Sequence, residues 1–192
     1  ASKLESLYVN LEQKVREKTA GLEEQQQRLA ALYEVATFVA STDKLDELAQ
    51  GFSRQIRRIS GADAAAIRWS NEASERYVLL ASDCLPQVMT QEEQCVLSGD
   101  CLCGSPPKVG AMPALRVIPI LEASNALRQK EGAKVRDHCD KAGYTTLVTV
   151  PLSMHQRTLG EVELFYRGMP VISESERGLY EALASHLASA ME

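Results

Sequence analysis

Four of the five cysteines in this 192-residue chain fall between residues 84 and 103, and two frame a single leucine in "SGDCLCGSPP", Ser98 to Pro107. Cys84, Cys95, Cys101 and Cys103 form the group, and Cys139 stands apart. Thiols at this density can do four kinds of chemistry. A reduced, buried cysteine is a small apolar side chain that fills a core, which suits Cys139 on a helix better than Cys101 and Cys103 in a Gly/Pro loop. Two thiols can form and break a disulfide, and a thiol beside a cation or a helix N-terminus ionises and reacts more readily. Cys95 or Cys101 could approach Cys84 if the loop folds back, with Lys108 and Arg116 the nearest cations in sequence. Four thiolates can hold zinc or an iron–sulfur cluster. The spacing Cys-x10-Cys-x5-Cys-x-Cys departs from the paired knuckles of zinc sites and from ferredoxin runs, and Cys139 and His138 could add ligands only if the fold brings them in. Finally, a nucleophilic and a resolving thiol drawn from Cys84, Cys95 and Cys103 could attack an oxidised sulfur and close a disulfide.

The bulk numbers narrow the setting of this chemistry. An odd cysteine count in a chain long enough for its own core argues against a secreted disulfide scaffold. Reduced thiols in a cytoplasmic setting are expected. Net charge is −5, which argues against nucleic acid as a partner. Hydrophobic residues make up 45% and aromatics 5%, so the core should be mainly aliphatic. No apolar run approaches the roughly 18 residues of a membrane span, and the polar N-terminus does not read as a secretory leader.

Two kinds of element must position these residues. Residues 1–40 contain no proline and repeat Leu4, Tyr8, Leu11, Val15, Leu22, Leu29 and Leu32 at heptad a and d spacing, with Lys18 and Gln25 at the polar core positions that break the ladder. This predicts a coiled-coil helix about 60 Å long at 1.5 Å per residue. The polar core positions fix register and favour a two-stranded parallel pair, hence a homodimer. Residues 41–192 predict a separate α+β domain. Ser41, Thr42 and Asp43 are start signals for a helix that ends at Gly61, with Leu45, Leu48, Phe52, Ile56 and Ile59 on its apolar face. "DAAAIRW" and "RYVLLAS" read as a hairpin, "RVIPIL" as a strand, and "YTTLVTVPL" with "TLGEVELFY" as two strands around the turn "SMHQR". The capping box Thr90-x-x-Glu93 predicts a short helix carrying Cys95, and a further helix carries His138 and Cys139. The box Ser173-x-x-Glu176 opens a last helix with Leu179, Leu183, Leu187, Ala190 and Met191 on one side. That helix meets no stop signal by residue 192 and is expected to continue in the native protein and to add to the dimer contact.

"LYEVATFVASTDKLDELAQ" followed by "ISGADAAAIRW" resembles the opening of a GAF domain. "AGYTTLVTVPLSMHQRTLGEVELFY" before a Ser-capped helix resembles its close, with Val150-Pro151-Leu152, Leu159-Gly160 and Leu164 in the expected succession. "LEQKVREKTAGLEEQ" resembles the signalling helix that joins membrane-side input to output domains in sensor kinases. Together with the cysteines, the chain resembles the central cytoplasmic region of NarX-type nitrate/nitrite sensor histidine kinases. That resemblance implies the cytoplasmic portion of an inner-membrane protein. Nitrate and nitrite would be recognised in a periplasmic domain, and a response regulator would be reached only through a kinase core. The sequence shows no phosphoacceptor pattern of His, Asp and Gln; His186 reads as a helix-face residue and His155 as a solvated turn residue. The fragment is therefore expected to have no catalytic activity and no obligatory cofactor. The alternatives are a thiol-redox or metal-sensing GAF domain, and an enzyme resembling the free methionine-(R)-sulfoxide reductases. The patterns of bilin-binding and cyclic-nucleotide GAF domains are not matched.

Overall fold

The computed structural model describes residues 2–41, 44–70, 76–92, 95–97, 114–129 and 138–191. They separate into two compact units, Ala1–Glu34 and Val35–Glu192. The first unit is helical throughout. It belongs to α1 (Ser2–Ser41), whose last residues enter the second unit, where Val35 is fully buried. The start signal read at Ser41 is overridden, because α1 runs through that residue.

The second unit continues with α2 (Leu45–Ser60), β1 (Ala64–Ser70), β2 (Arg76–Asp83), α3 (Gln87–Glu92) and β3 (Cys95–Leu97). It closes with β4 (Arg116–Pro119), α4 (Ile120–Arg128), α5 (His138–Lys141), β5 (Thr146–Met154), β6 (Arg157–Tyr166) and α6 (Glu174–Met191). The strands form one antiparallel sheet in the order β3-β2-β1-β6-β5-β4. The α+β expectation therefore holds. β1 and β6 are central, so Ala64, Ala65, Ala66 and Ile67 are buried on both faces.

α2 and α6 pack on one face of the sheet and on each other. α2 buries Leu48, Ala49, Phe52, Ser53 and Ile56, and ends at Gly61 in the left-handed region (φ 69°) that glycine adopts without a Cβ clash. Its N-cap is Lys44 and has no side-chain capping bond. α6 is opened by the predicted reciprocal box. The Glu176 N–H donates to Ser173 Oγ at 3.1 Å, and the Ser173 N–H donates to Glu176 Oε2 at 3.4 Å. Its buried stripe is Leu179, Tyr180, Leu183, Ala184, Leu187, Ala188 and Met191; Ala190 faces outward.

The β5–β6 hairpin turns through His155 (φ 50°) and Gln156 (φ 66°), two left-handed residues in succession, which matches the right-handed twist of the strands. Pro151 lies inside β5, beyond the residues 146–149 that pair with β4, where no N–H is needed on that side. Gly160 admits the close neighbour expected of it, since a Cβ there would meet the Arg68 carbonyl oxygen at 1.9 Å. Two expectations fail locally. Cys95 begins strand β3 and is not on a helix, because α3 starts earlier, with the N–H groups of Met89 and Thr90 donating to Pro86 O. Thr90 is thus inside α3, and its hydroxyl donates back to Gln87 O. "RVIPIL" also divides: β4 stops at Pro119 and Ile120 starts α4.

Candidate functional site

Side chains directly opposite on paired strands point to the same sheet face. On the face away from α2 and α6, this rule aligns Ala64, Ala66 and Arg68 of β1 with Phe165, Glu163 and Glu161 of β6. It adds Leu147 and Thr149 of β5, Ile118 and Arg116 of β4, and Leu79 and Tyr77 of β2. The face has two ends of opposite character. At one end Ala64, Ala66, Met89, Ile120, Cys139, Tyr144, Leu147 and Phe165 make an apolar cluster. At the other, Arg68, Glu163, Glu161, Thr149 and Tyr77 are all buried, with Arg116 half-buried beside them.

Two arginines and two glutamates in such a place need a reason, because removing an ion from water costs several kcal/mol even after relaxation. Part of it is a direct pair: Arg68 Nε donates to Glu163 Oε1 at 2.5 Å, both side chains fully buried. Glu163 Oε2 and Arg68 Nη2, however, are buried with no hydrogen-bond partner among the described residues. Arg116 forms no ion pair among the described residues. Tyr77 reaches into the same group. Burial holds its phenol above the ordinary range, Glu161 and Glu163 push it further up, and Arg116 opposes them. Residues of β2, β6 and β4 therefore share this face of the sheet.

This cluster was not among the residues singled out from the sequence. The signal was present as an arginine inside the apolar run "AAAIRW" and two glutamates at alternate positions in "LGEVELFY". Charges at a period of two usually mark a solvated face, and only the strand pairing shows that this face is buried.

The thiols fall elsewhere. Cys101 and Cys103 lie outside the described residues, as does the side chain of Cys95. Cys84 and Cys139 form no disulfide among the described residues, the first being exposed and the second buried in the apolar cluster. Cys84 ends β2 at φ 60°, uncommon for a residue with a Cβ. The cation whose charge acts with it is Arg57 of α2; Lys108 lies outside the described residues. Arg57 is hydrogen-bonded to Asp83; that bond holds the guanidinium pKa up against its desolvation, and the charge of Cys84 adds to it. Tyr144, above whose ring the Arg167 guanidinium sits at 4.8 Å, is also held up, chiefly by burial and further by Asp63, Cys139 and Cys84. Among the described residues no three His, Cys, Asp or Glu side chains gather as metal ligands. No helix there is long and apolar enough to cross a membrane.

In the helical unit the heptad residues lie on the surface. Leu4, Tyr8, Leu11, Val15, Leu22 and Leu29 are each more than half exposed, Lys18 and Gln25 are exposed, and Leu32 is half-buried. His186 is exposed on α6, and His155 occupies the hairpin turn.

No protein-family model and no curated protein matches the sequence. Solved structures do. The GAF domain of a phosphoenolpyruvate-protein phosphotransferase from Acinetobacter superposes with a TM-score of 0.66 at 16% identity, covering 86% of this chain and 92% of that one. A domain assigned to a two-component sensor histidine kinase of Sinorhizobium meliloti gives 0.59 at 16% identity, over 78% and 92%. The free methionine-R-sulfoxide reductase of Neisseria meningitidis, in complex with its substrate, gives 0.63 at 13% identity, over 85% and 87%. Proteins of such different kinds share this architecture, so the likeness carries no activity across; what it establishes is that the chain has the GAF fold.

Proposed function

We propose that the chain is a sensing and relay module of a membrane-bound two-component sensor histidine kinase. α1 pairs with a second copy and carries input from the membrane side. The GAF-fold unit biases the helix pair between two arrangements. α6 passes the result toward a kinase core, through which alone a response regulator is reached. The observation that carries this reading is the exposed ladder from Leu4 to Leu29. A row of more than half-exposed aliphatic side chains at a and d spacing is stable in water when a partner helix covers it. The nitrate/nitrite-responsive branch is favoured by the combination of such a helix with a cysteine-bearing GAF-fold unit.

Sedimentation velocity at tens of micromolar tests the reading. The chain is expected to be a dimer, and Leu11→Glu with Val15→Glu is expected to give a folded monomer. A monomeric parent protein would overturn the relay. A thiol enzyme is the second reading, favoured by the exposed Cys84 beside Arg57. Turnover of free methionine (R)-sulfoxide with a thiol reductant would replace the relay by catalysis.

A further inference from the structure

The last turns of α1 carry apolar residues on two adjacent sides. Val35 is fully buried and Phe38 half-buried, both on one side of the helix and both within the unit Val35–Glu192. Ala36 and Val39, each one residue further on, stand about 100° round the helix axis. They continue the a and d spacing of Leu29 and Leu32, and both are half-buried.

α2 holds the first side. The Phe38 ring meets Gly51 end-on, so closely that a Cβ there would lie 2.1 Å from its Cζ and 2.7 Å from its Cε1. Ring and Cβ cannot share that space. Gly51 is interior to α2, where glycine is a poor helix former, and its lack of a side chain is what seats the ring. Beside the contact is an open cleft of about 490 Å³, with Phe38, Gly51 and Leu80 in its walls and Asp46, Glu47 and Arg54 among its lining. The ring can leave Gly51 by turning into this cleft, without forcing its way through a packed core. The charged lining makes the cleft the poorer place for a phenyl ring, so the seated position is the resting one.

We propose that Phe38 on Gly51 is a latch that holds the end of α1 on α2 and out of the helix pair. Turning α1 to sink Ala36 and Val39 into a seam with a second copy draws Val35 and Phe38 off α2. Seating Phe38 does the reverse. The two contacts compete, and linkage makes the effect reciprocal: what loosens one strengthens the other. α2 packs on β1, β2 and α6, so a change in the GAF-fold unit that shifts α2 reaches the latch. The inference rests on the reading of α1 as the pairing helix.

The test is sedimentation equilibrium of the whole 192-residue protein and its variants. Gly51→Ala evicts the ring, and Phe38→Ala removes it; neither position belongs to the heptad ladder. Each variant is expected to keep the parent's far-ultraviolet spectrum and to dimerise at least fivefold more tightly. If one of them does not fold, the other alone decides. Adding Gly51→Ala to Phe38→Ala should change the dimer constant less than twofold, because no ring remains to evict. Equal or weaker pairing in the single variants overturns the latch. So does a gain from Gly51→Ala that persists in the Phe38→Ala chain, since it would then come from the helix propensity of alanine. A dimer indifferent to both substitutions removes the latch and leaves the relay. A parent that stays monomeric while both variants pair removes the relay and keeps the latch.

Discussion

Cys84 and Cys139 differ by environment alone. Cys139 sits among Met89, Ile120, Leu147 and Phe165, where water and reagents do not reach. Cys84 is exposed, and Arg57 lies close enough for the two charges to act on each other. In a chain carrying Cys84 as its single cysteine, the thiol is expected to react with an aromatic disulfide reagent in the native state. A chain carrying only Cys139 is expected to react after denaturation alone, and equal native-state rates for the two would show that the apolar cluster admits the reagent. The sequence made the cysteines conspicuous, but the cation came from α2, distant along the chain. The Arg68–Glu163 pair was hidden for the same reason: its partners lie on β1 and β6, and only the pairing of those strands brings them together.

At the scale of elements, long-period patterns were legible and short ones were not. The helix of α1, the Ser173 box of α6, the β1–β2 pairing and the β5–β6 hairpin all follow from periodicity and turn chemistry, because each is decided within a few neighbouring residues. The failures fall where two local signals compete. Pro86 starts α3 ahead of Thr90, and the pairing of Cys95 with Val78 makes a strand of a segment whose capping box read as helix. Lys18 and Gln25 belong to this scale. A polar residue in the heptad seam lowers stability and restricts register and oligomer state. Changing both to Leu is expected to raise the melting temperature of the helical dimer markedly and to admit higher oligomers, read by circular dichroism and sedimentation equilibrium. In a full-length kinase the same change should lock signalling in one state. Unaltered association would show that these two positions face solvent in the pair.

At the scale of the whole molecule, the GAF-fold unit is closed by tyrosines as well as aliphatics. Tyr77, Tyr144, Tyr166 and Tyr180 are buried, and burial is the largest cause holding each phenol above the ordinary value near 10. The consequence for stability follows from proton linkage. Below pH 10 both folded and unfolded chains keep these protons, and the contribution is fully present. As the pH rises past 10, the unfolded chain releases them while the folded one holds them. Unfolding is then favoured increasingly, up to the folded values. Four such groups act in the same direction, so the melting temperature is expected to fall steeply above pH 10, after a region of little change between pH 8 and 9. Following tyrosinate absorbance alongside the far-ultraviolet helix signal checks this. The signal of the four buried phenols should appear together with loss of helix, whereas titration of all of them in a folded chain would show that the core admits hydroxide. Tyr166 also donates to Ser60 O at 3.3 Å and so ties β6 to the end of α2. Its ionisation therefore unpicks the seam between sheet and helix rather than a surface group, which makes the transition cooperative.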